Sequence, residues 1–130
     1  MNIPSYVVAN PTGNVTILVT SPVSPELQSE TGSFLLQLEP RAEQVGFYSA
    51  GKQPFTAGIR MGGGEFCGNA ALSAAAYALW QSGQTEATVT LDFSGVEDPV
   101  EVHVRRDGER SFSGRVRMPY PLSFSIRNLE

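Results

Sequence analysis

Cys67 is the single cysteine of this 130-residue chain, and its surroundings make it the first place to look for chemistry. It sits in Met61-Gly62-Gly63-Gly64-Glu65-Phe66-Cys67-Gly68-Asn69-Ala70, which leaves an alternating apolar stretch and enters a charge-free one. A helix opening here leaves the backbone N–H groups of Gly68, Asn69 and Ala70 without helical partners. The helix dipole puts partial positive charge at the same spot, so a carboxylate is favoured there. The same field favours the thiolate of Cys67 over the thiol. Gly68 and the three preceding glycines let a ligand approach the backbone, and Asn69 adds a polar side chain. A thiolate beside an anion-holding helix start suits two reactions. It can take a proton from the carbon next to a bound carboxylate, or it can attack a carbonyl.

Other readings of the same residues compete. A lone cysteine also serves as a small buried apolar side chain, and a glycine run can be a plain turn. The run does not fit a phosphate loop, because no Gly-Lys-Ser/Thr follows. Nor does it fit Gly-x-Gly-x-x-Gly, because Cys67 stands where the last glycine belongs. His103 is the only histidine. A Cys–His hydrolase would need it beside Cys67; its place in an alternating stretch, opposite a valine face, puts it in solvent instead. One cysteine and one histidine do not make a metal site. The arginines at 105, 106, 110, 115 and 117 read as the wet face of a hairpin.

The elements that would position Cys67 follow from periodicity. Tyr6 to Ala9 and Val15 to Thr20 read as strands, with Asn10-Pro11-Thr12-Gly13-Asn14 as the turn between them. Ser24-Pro25-Glu26 opens a helix with an N-cap, a proline at the first position and an acid in the first turn. Leu27, Phe34, Leu35 and Leu38 follow at helical spacing; Gly32 weakens this helix and Pro40 limits it. Gln44 to Ser49 is a strand. Phe55, Ala57, Ile59 and Met61 alternate as a strand with one buried face. Ala70 to Trp80 contains strong helix formers and no charge, so a helix buried on all sides is expected, with Gly83 as its stop. Three alternating strands follow, marked by Ala87 to Phe93, Val100 to Val104 and Phe112 to Met118, with Asp107-Gly108 as a hairpin signal. The pattern predicts a mostly antiparallel sheet wrapped around one central helix.

Length and composition agree with one domain of ordinary globular type. Hydrophobic residues make up 41% and charged residues 17%, which excludes a disordered tail, a collagen-like repeat and a coiled coil. The net charge of −4 and the absence of a basic run argue against a nucleic-acid partner. No signal-peptide pattern opens the chain, and the stretch from Cys67 to Gly83 is too short to span a membrane, so no membrane partner is expected. A single cysteine forms no internal disulfide, which fits a cytoplasmic setting.

Glu65-Phe66-Cys67-Gly68-Asn69-Ala70 resembles the catalytic cysteine motif of the diaminopimelate epimerase superfamily, the cofactor-independent amino-acid racemases and epimerases. The likeness is nearest to its histidine-racemase-like branch. Gly13-Asn14 resembles an early Gly-Asn whose Asn touches substrate. Glu43-Gln44-Val45 resembles an Asp-Gln stretch entering a strand. Arg115-Val116-Arg117-Met118 before Pro119 resembles the close of the family's first half. The resemblance covers roughly residues 5 to 121.

It implies an α+β fold, in which each of two similar halves wraps an antiparallel barrel-like sheet around a central helix. It implies a mechanism in which two cysteines face each other across the substrate's alpha carbon, one removing a proton and the other donating one, while the helix starts hold the carboxylate. Cys67 would be one acid/base. Gly68, Asn69 and Ala70 would bind carboxylate, Asn14 and Gln44 would touch the amino-acid substrate, and neither cofactor nor metal would be required. The domain would occupy residues 1–121, and 122–130 would begin an inter-domain linker or a tail. The second acid would come from a missing C-terminal half or from a second chain. The full-length protein would then be an isomerase, and the 130-residue chain alone would be inactive.

The sequence departs from the family at Ala71-Leu72, where relatives carry polar or basic residues. Arg60 stands near an Asn of the epimerase proper, which argues against diaminopimelate as substrate. Two alternatives stand beside the racemase: a non-catalytic binding or assembly module that keeps the fold, and a phenazine-biosynthesis-type isomerase. The latter shares the fold but uses an acidic residue, and Cys67 in the motif argues against it.

Overall fold

The computed structural model describes residues 3–11 and 14–117. Seven strands form one sheet in chain order: β1 (Tyr6–Ala9), β2 (Thr16–Val19), β3 (Gln44–Ala50), β4 (Thr56–Met61), β5 (Glu86–Phe93), β6 (Val100–Arg106) and β7 (Phe112–Arg117). Helix α1 (Pro25–Leu38) joins β2 to β3, and helix α2 (Gly68–Ser82) joins β4 to β5. The protein is an α+β fold whose sheet curls into a half-barrel around α2. Gly13, Met118 and Pro119 of the family resemblance, and the linker expected at 122–130, lie outside the described residues.

Sequence alternation identifies strands but not their direction. Four of the six pairings are antiparallel, whereas β2–β3 and β4–β5 are parallel. Each parallel pair is bridged by a helix, as a parallel pair requires. The antiparallel β3–β4 step reverses the strand direction between the two units. Right-handed crossovers therefore send the two helices to opposite faces of the sheet.

The side chains show this division. Ile17, Val19, Val45 and Phe47 pack with Leu35 of α1. Their neighbours Leu18 and Tyr48 point the other way, into the core around α2. β2 is buried at all four positions, which explains its unbroken apolar run Ile17-Leu18-Val19.

Beyond β4, only the face toward α2 is dry. Val89, Leu91, Val100, Val102 and Val104 are fully buried there. Ala70, Ala71, Ala74 and Ala75 let the strands close on the helix. At Gly114 of β7 an added Cβ would lie 2.9 Å from Leu72 Cδ1 and 2.6 Å from His103 O, so the strand rides directly on α2.

Three expectations are corrected. α2 is not covered all round: Leu72, Ala76 and Tyr77 are half-buried and Trp80 is 49% exposed. The reason is an incomplete curl, since β1 and β7 do not pair among the described residues. Those residues of α2 instead line a cavity of about 400 Å³ in the gap between the two edges. In α1, Leu35 is buried and Phe34 half-buried, whereas Leu27 and Leu38 are 49% and 43% exposed. The dry stripe of this 14-residue helix is confined to Thr31, Gly32 and Leu35 at its middle. Phe55 lies before β4 rather than in it, with a left-handed φ of 57°.

Candidate active site at the start of α2

The site begins where β4 ends. After Met61 the chain turns, with the Gly64 N–H donating to Met61 O at 2.9 Å and Gly64 at φ +78°, where a side chain would be strained. Cys67 is the N-cap residue of α2, with extended backbone (φ −144°, ψ 120°) and no side-chain capping bond. Its side chain is half-buried and its thiol is free. The first helical bond of the turn runs from Ala71 N–H to Cys67 O at 3.0 Å. Among the described residues, the N–H groups of Gly68, Asn69 and Ala70 have no acceptor. A Cβ built on Gly68 would meet nothing within 4 Å, so the backbone there faces open space. Ala70 is fully buried, whereas Gly68 and Asn69 are half-buried. The main-chain O of Asn69 accepts from the Ser73 hydroxyl at 2.8 Å.

Asn14 and Gln44 meet through a third residue that the sequence did not single out. The Gln44 side-chain amide donates to Thr16 Oγ1 at 2.8 Å, and that hydroxyl donates to Asn14 O at 3.0 Å. Thr16 is fully buried. No hydrogen bond joins this group to Cys67 among the described residues. The register places both at one end of the sheet: Met61, the last residue of β4, pairs with Gly46, and Thr16 pairs with Gln44.

The second contribution missed by sequence reasoning is Phe93-Ser94-Gly95, at the end of β5. The Ser94 hydroxyl accepts from Met61 N–H at 3.0 Å and donates to Glu65 O at 2.7 Å. The Phe66 and Phe93 rings lie 4.7 Å apart at 60°. The only available signal was the Ser-Gly that interrupts the alternation after Phe93.

His103 is on the far face. Its neighbours Val102 and Val104 point to α2, while its own ring meets Glu86 Oε2 at 2.6 Å and Thr88 Oγ1 at 3.2 Å in solvent. The sheet therefore separates it from Cys67, and the Cys–His hydrolase arrangement is not formed. Among the described residues no group of three His, Cys, Asp or Glu side chains could hold a metal ion. No helix among them is long and apolar enough to cross a membrane.

Comparison with known proteins identifies a racemase-like domain. Residues 4–130 match the family described as "Histidine racemase CntK N-terminal domain", and the chain belongs to that family. It is similar to histidine racemases from two strains of Fusobacterium nucleatum subsp. nucleatum. One is 31% identical over 96% of this chain and 47% of the relative. The other is 32% identical over 88% of this chain and 43% of the relative. The chain thus spans about half the length of these relatives.

Proposed function

We propose that this chain is the N-terminal domain of a cofactor-independent amino-acid racemase with a diaminopimelate-epimerase-like fold, and that Cys67 exchanges the proton at the substrate's alpha carbon. The observation that carries this reading is the half-buried Cys67 thiol at the N-cap of α2, next to the unpartnered N–H groups of Gly68, Asn69 and Ala70. The three N–H groups hold the alpha-carboxylate. As the thiolate removes the alpha proton, negative charge moves onto that carboxylate. The N–H dipoles are already aimed at it, so the transition state gains more than the ground state. Cys67 becomes a thiol, and an acid on the opposite face returns a proton to the carbon. This inverts the centre and leaves the atom count unchanged.

This chain holds one thiol, so the opposite acid comes from outside it. Relatives about twice as long support a second half as its source. Histidine is the first substrate to test, because the similar proteins are named for it. The one free cysteine suits a reducing, cytoplasmic setting.

The test is deuterium incorporation at the alpha carbon of L- and D-histidine in D2O by the full-length protein. Cys67→Ser should lower exchange by about 10²- to 10⁴-fold, the usual worth of a positioned acid/base. Exchange that survives the substitution intact overturns the role of Cys67.

A further inference from the structure

We propose that Ser94 is a positioning residue for Cys67: it fixes the loop that leads to the thiol, and proton transfer depends on that hold. The inference rests on the reading of Cys67 given above.

Ser94 directly follows β5. Its N–H donates to Ile59 O at 3.0 Å, which extends the parallel β4–β5 ladder by one bond. Its hydroxyl then makes two bonds in opposite senses. It accepts from the N–H of Met61, the last residue of β4, and donates to the carbonyl of Glu65, two residues before Cys67. One oxygen thereby ties together both ends of the Gly62-Gly63-Gly64 run.

The run needs an outside hold. Glycine has the most backbone freedom to lose on ordering. A Cβ built at Gly62 or Gly64 would touch nothing within 4 Å, so neither glycine is held on its outer side. Both neighbours of Ser94 grip the same stretch. Phe93 packs its ring on Phe66 at 4.7 Å. Gly95, at φ +81°, sits so close that an added Cβ would lie 2.6 Å from Phe66 N. Phe93, Ser94 and Gly95 thus all bear on Glu65-Phe66, immediately before the thiol. Cys67 itself has no side-chain bond to aim it. Where the Phe66–Cys67 peptide is held therefore sets where the sulfur points, and reacting groups tolerate only about 0.5 Å of misplacement.

The test compares Ser94→Ala, Ser94→Thr and Cys67→Ser with the unaltered full-length protein. The readouts are kcat and KM for histidine, thermal unfolding, and the pH profile of Cys67 alkylation by iodoacetamide, followed on its own peptide by mass spectrometry. Ser94→Ala should lower kcat by about 10- to 100-fold, as a misplacement near 1 Å does, with KM little changed. It should also alter the Cys67 alkylation profile. Ser94→Thr keeps the hydroxyl and should restore both. A variant that only melts earlier, with kcat and alkylation profile unchanged, overturns the proposal and leaves Ser94 a structural staple.

Should Ser94→Ala not fold, Phe66→Leu loosens the same loop; a matching loss of kcat supports the proposal and an unchanged kcat overturns it. An active Cys67→Ser would overturn the reading of Cys67 and this proposal together. An inactive Cys67→Ser beside a fully active Ser94→Ala would overturn this proposal alone.

Discussion

The side-chain amide of Gln44 donates to the hydroxyl of Thr16 at 2.8 Å, across the position where the two residues pair in β2 and β3. This uses the amide nitrogen of Gln44 and leaves its Oε1 without a protein partner among the described residues. If Oε1 receives the substrate's ammonium group, Gln44→Ala should raise KM more than it lowers kcat. Thr16→Val removes the hydroxyl that orients Gln44, so it should raise KM in the same direction and also cost about 1 kcal/mol of stability. Steady-state kinetics and thermal unfolding on both variants check this. An effect on kcat alone would remove Gln44 from the binding site.

The N–H groups beside Cys67 give a second expectation. Cys67 should react with iodoacetamide in the folded state, because it is only half-buried. Acetate, sulfate or histidine should slow the reaction by occupying the N–H groups of Gly68, Asn69 and Ala70. Alkylation rates with and without each anion are the measurement. Labelling only after unfolding would return Cys67 to the core; labelling that no anion slows would remove the carboxylate pocket.

Gly114 gives a third, independent of chemistry. Gly114→Ala places a methyl against His103 O and Leu72 Cδ1, with no room for it. Overpacking of this kind costs about 1–3 kcal/mol. Denaturant unfolding should show that loss, and Gly114→Ala with Leu72→Ala should cost less than the sum of the two single changes.

Tyr48 sets an alkaline limit. Burial first, and the nearby Tyr77 second, raise its phenol above the ordinary value of 10.0. The phenol is thus protonated more tightly in the folded than in the unfolded chain. Its stabilising share is fully present below pH 10.0 and is lost as pH rises through the raised value. Melting temperature should fall more steeply above that point than in Tyr48→Phe. Equal slopes would show that Tyr48 does not control the alkaline transition.

On the mechanism proposed for Cys67, a single thiol serves only one face of the alpha carbon. The 130-residue chain alone should therefore not interconvert L- and D-histidine. Chiral chromatography checks this, and turnover by the isolated chain would require a second acid within it or a second copy of the chain that brings its own Cys67 to the opposite face.

Much of the site was legible because its signals are local. The glycines, Cys67 and the alanine-rich helix are contiguous, and helix physics alone places the unpartnered N–H groups. The alternation in β5, β6 and β7 likewise marks the dry face, since each strand borders α2 on one side and water on the other. What stayed hidden depends on chain segments that meet in space. Ser94 and Glu65 are 29 residues apart, and a serine after a strand carries no sign of its partner. Alternation has no arrow, so the two parallel pairings could not be told from antiparallel ones. Phe55 fits the two-residue period of β4, yet its left-handed backbone breaks the strand before Thr56.

The placement of α1 and α2 on opposite faces has a consequence for how the molecule breathes. β2 and β3 are roofed on both sides, so their main-chain amides reach solvent only when a helix lifts away. Amide hydrogen exchange should be slowest there, near the rate set by global unfolding. The β6–β7 hairpin, with one wet face and an open outer edge, should exchange through local fraying. The molecule thus has a rigid spine at β2–β3 and a looser rim at β7, with the strands that frame Cys67 between them.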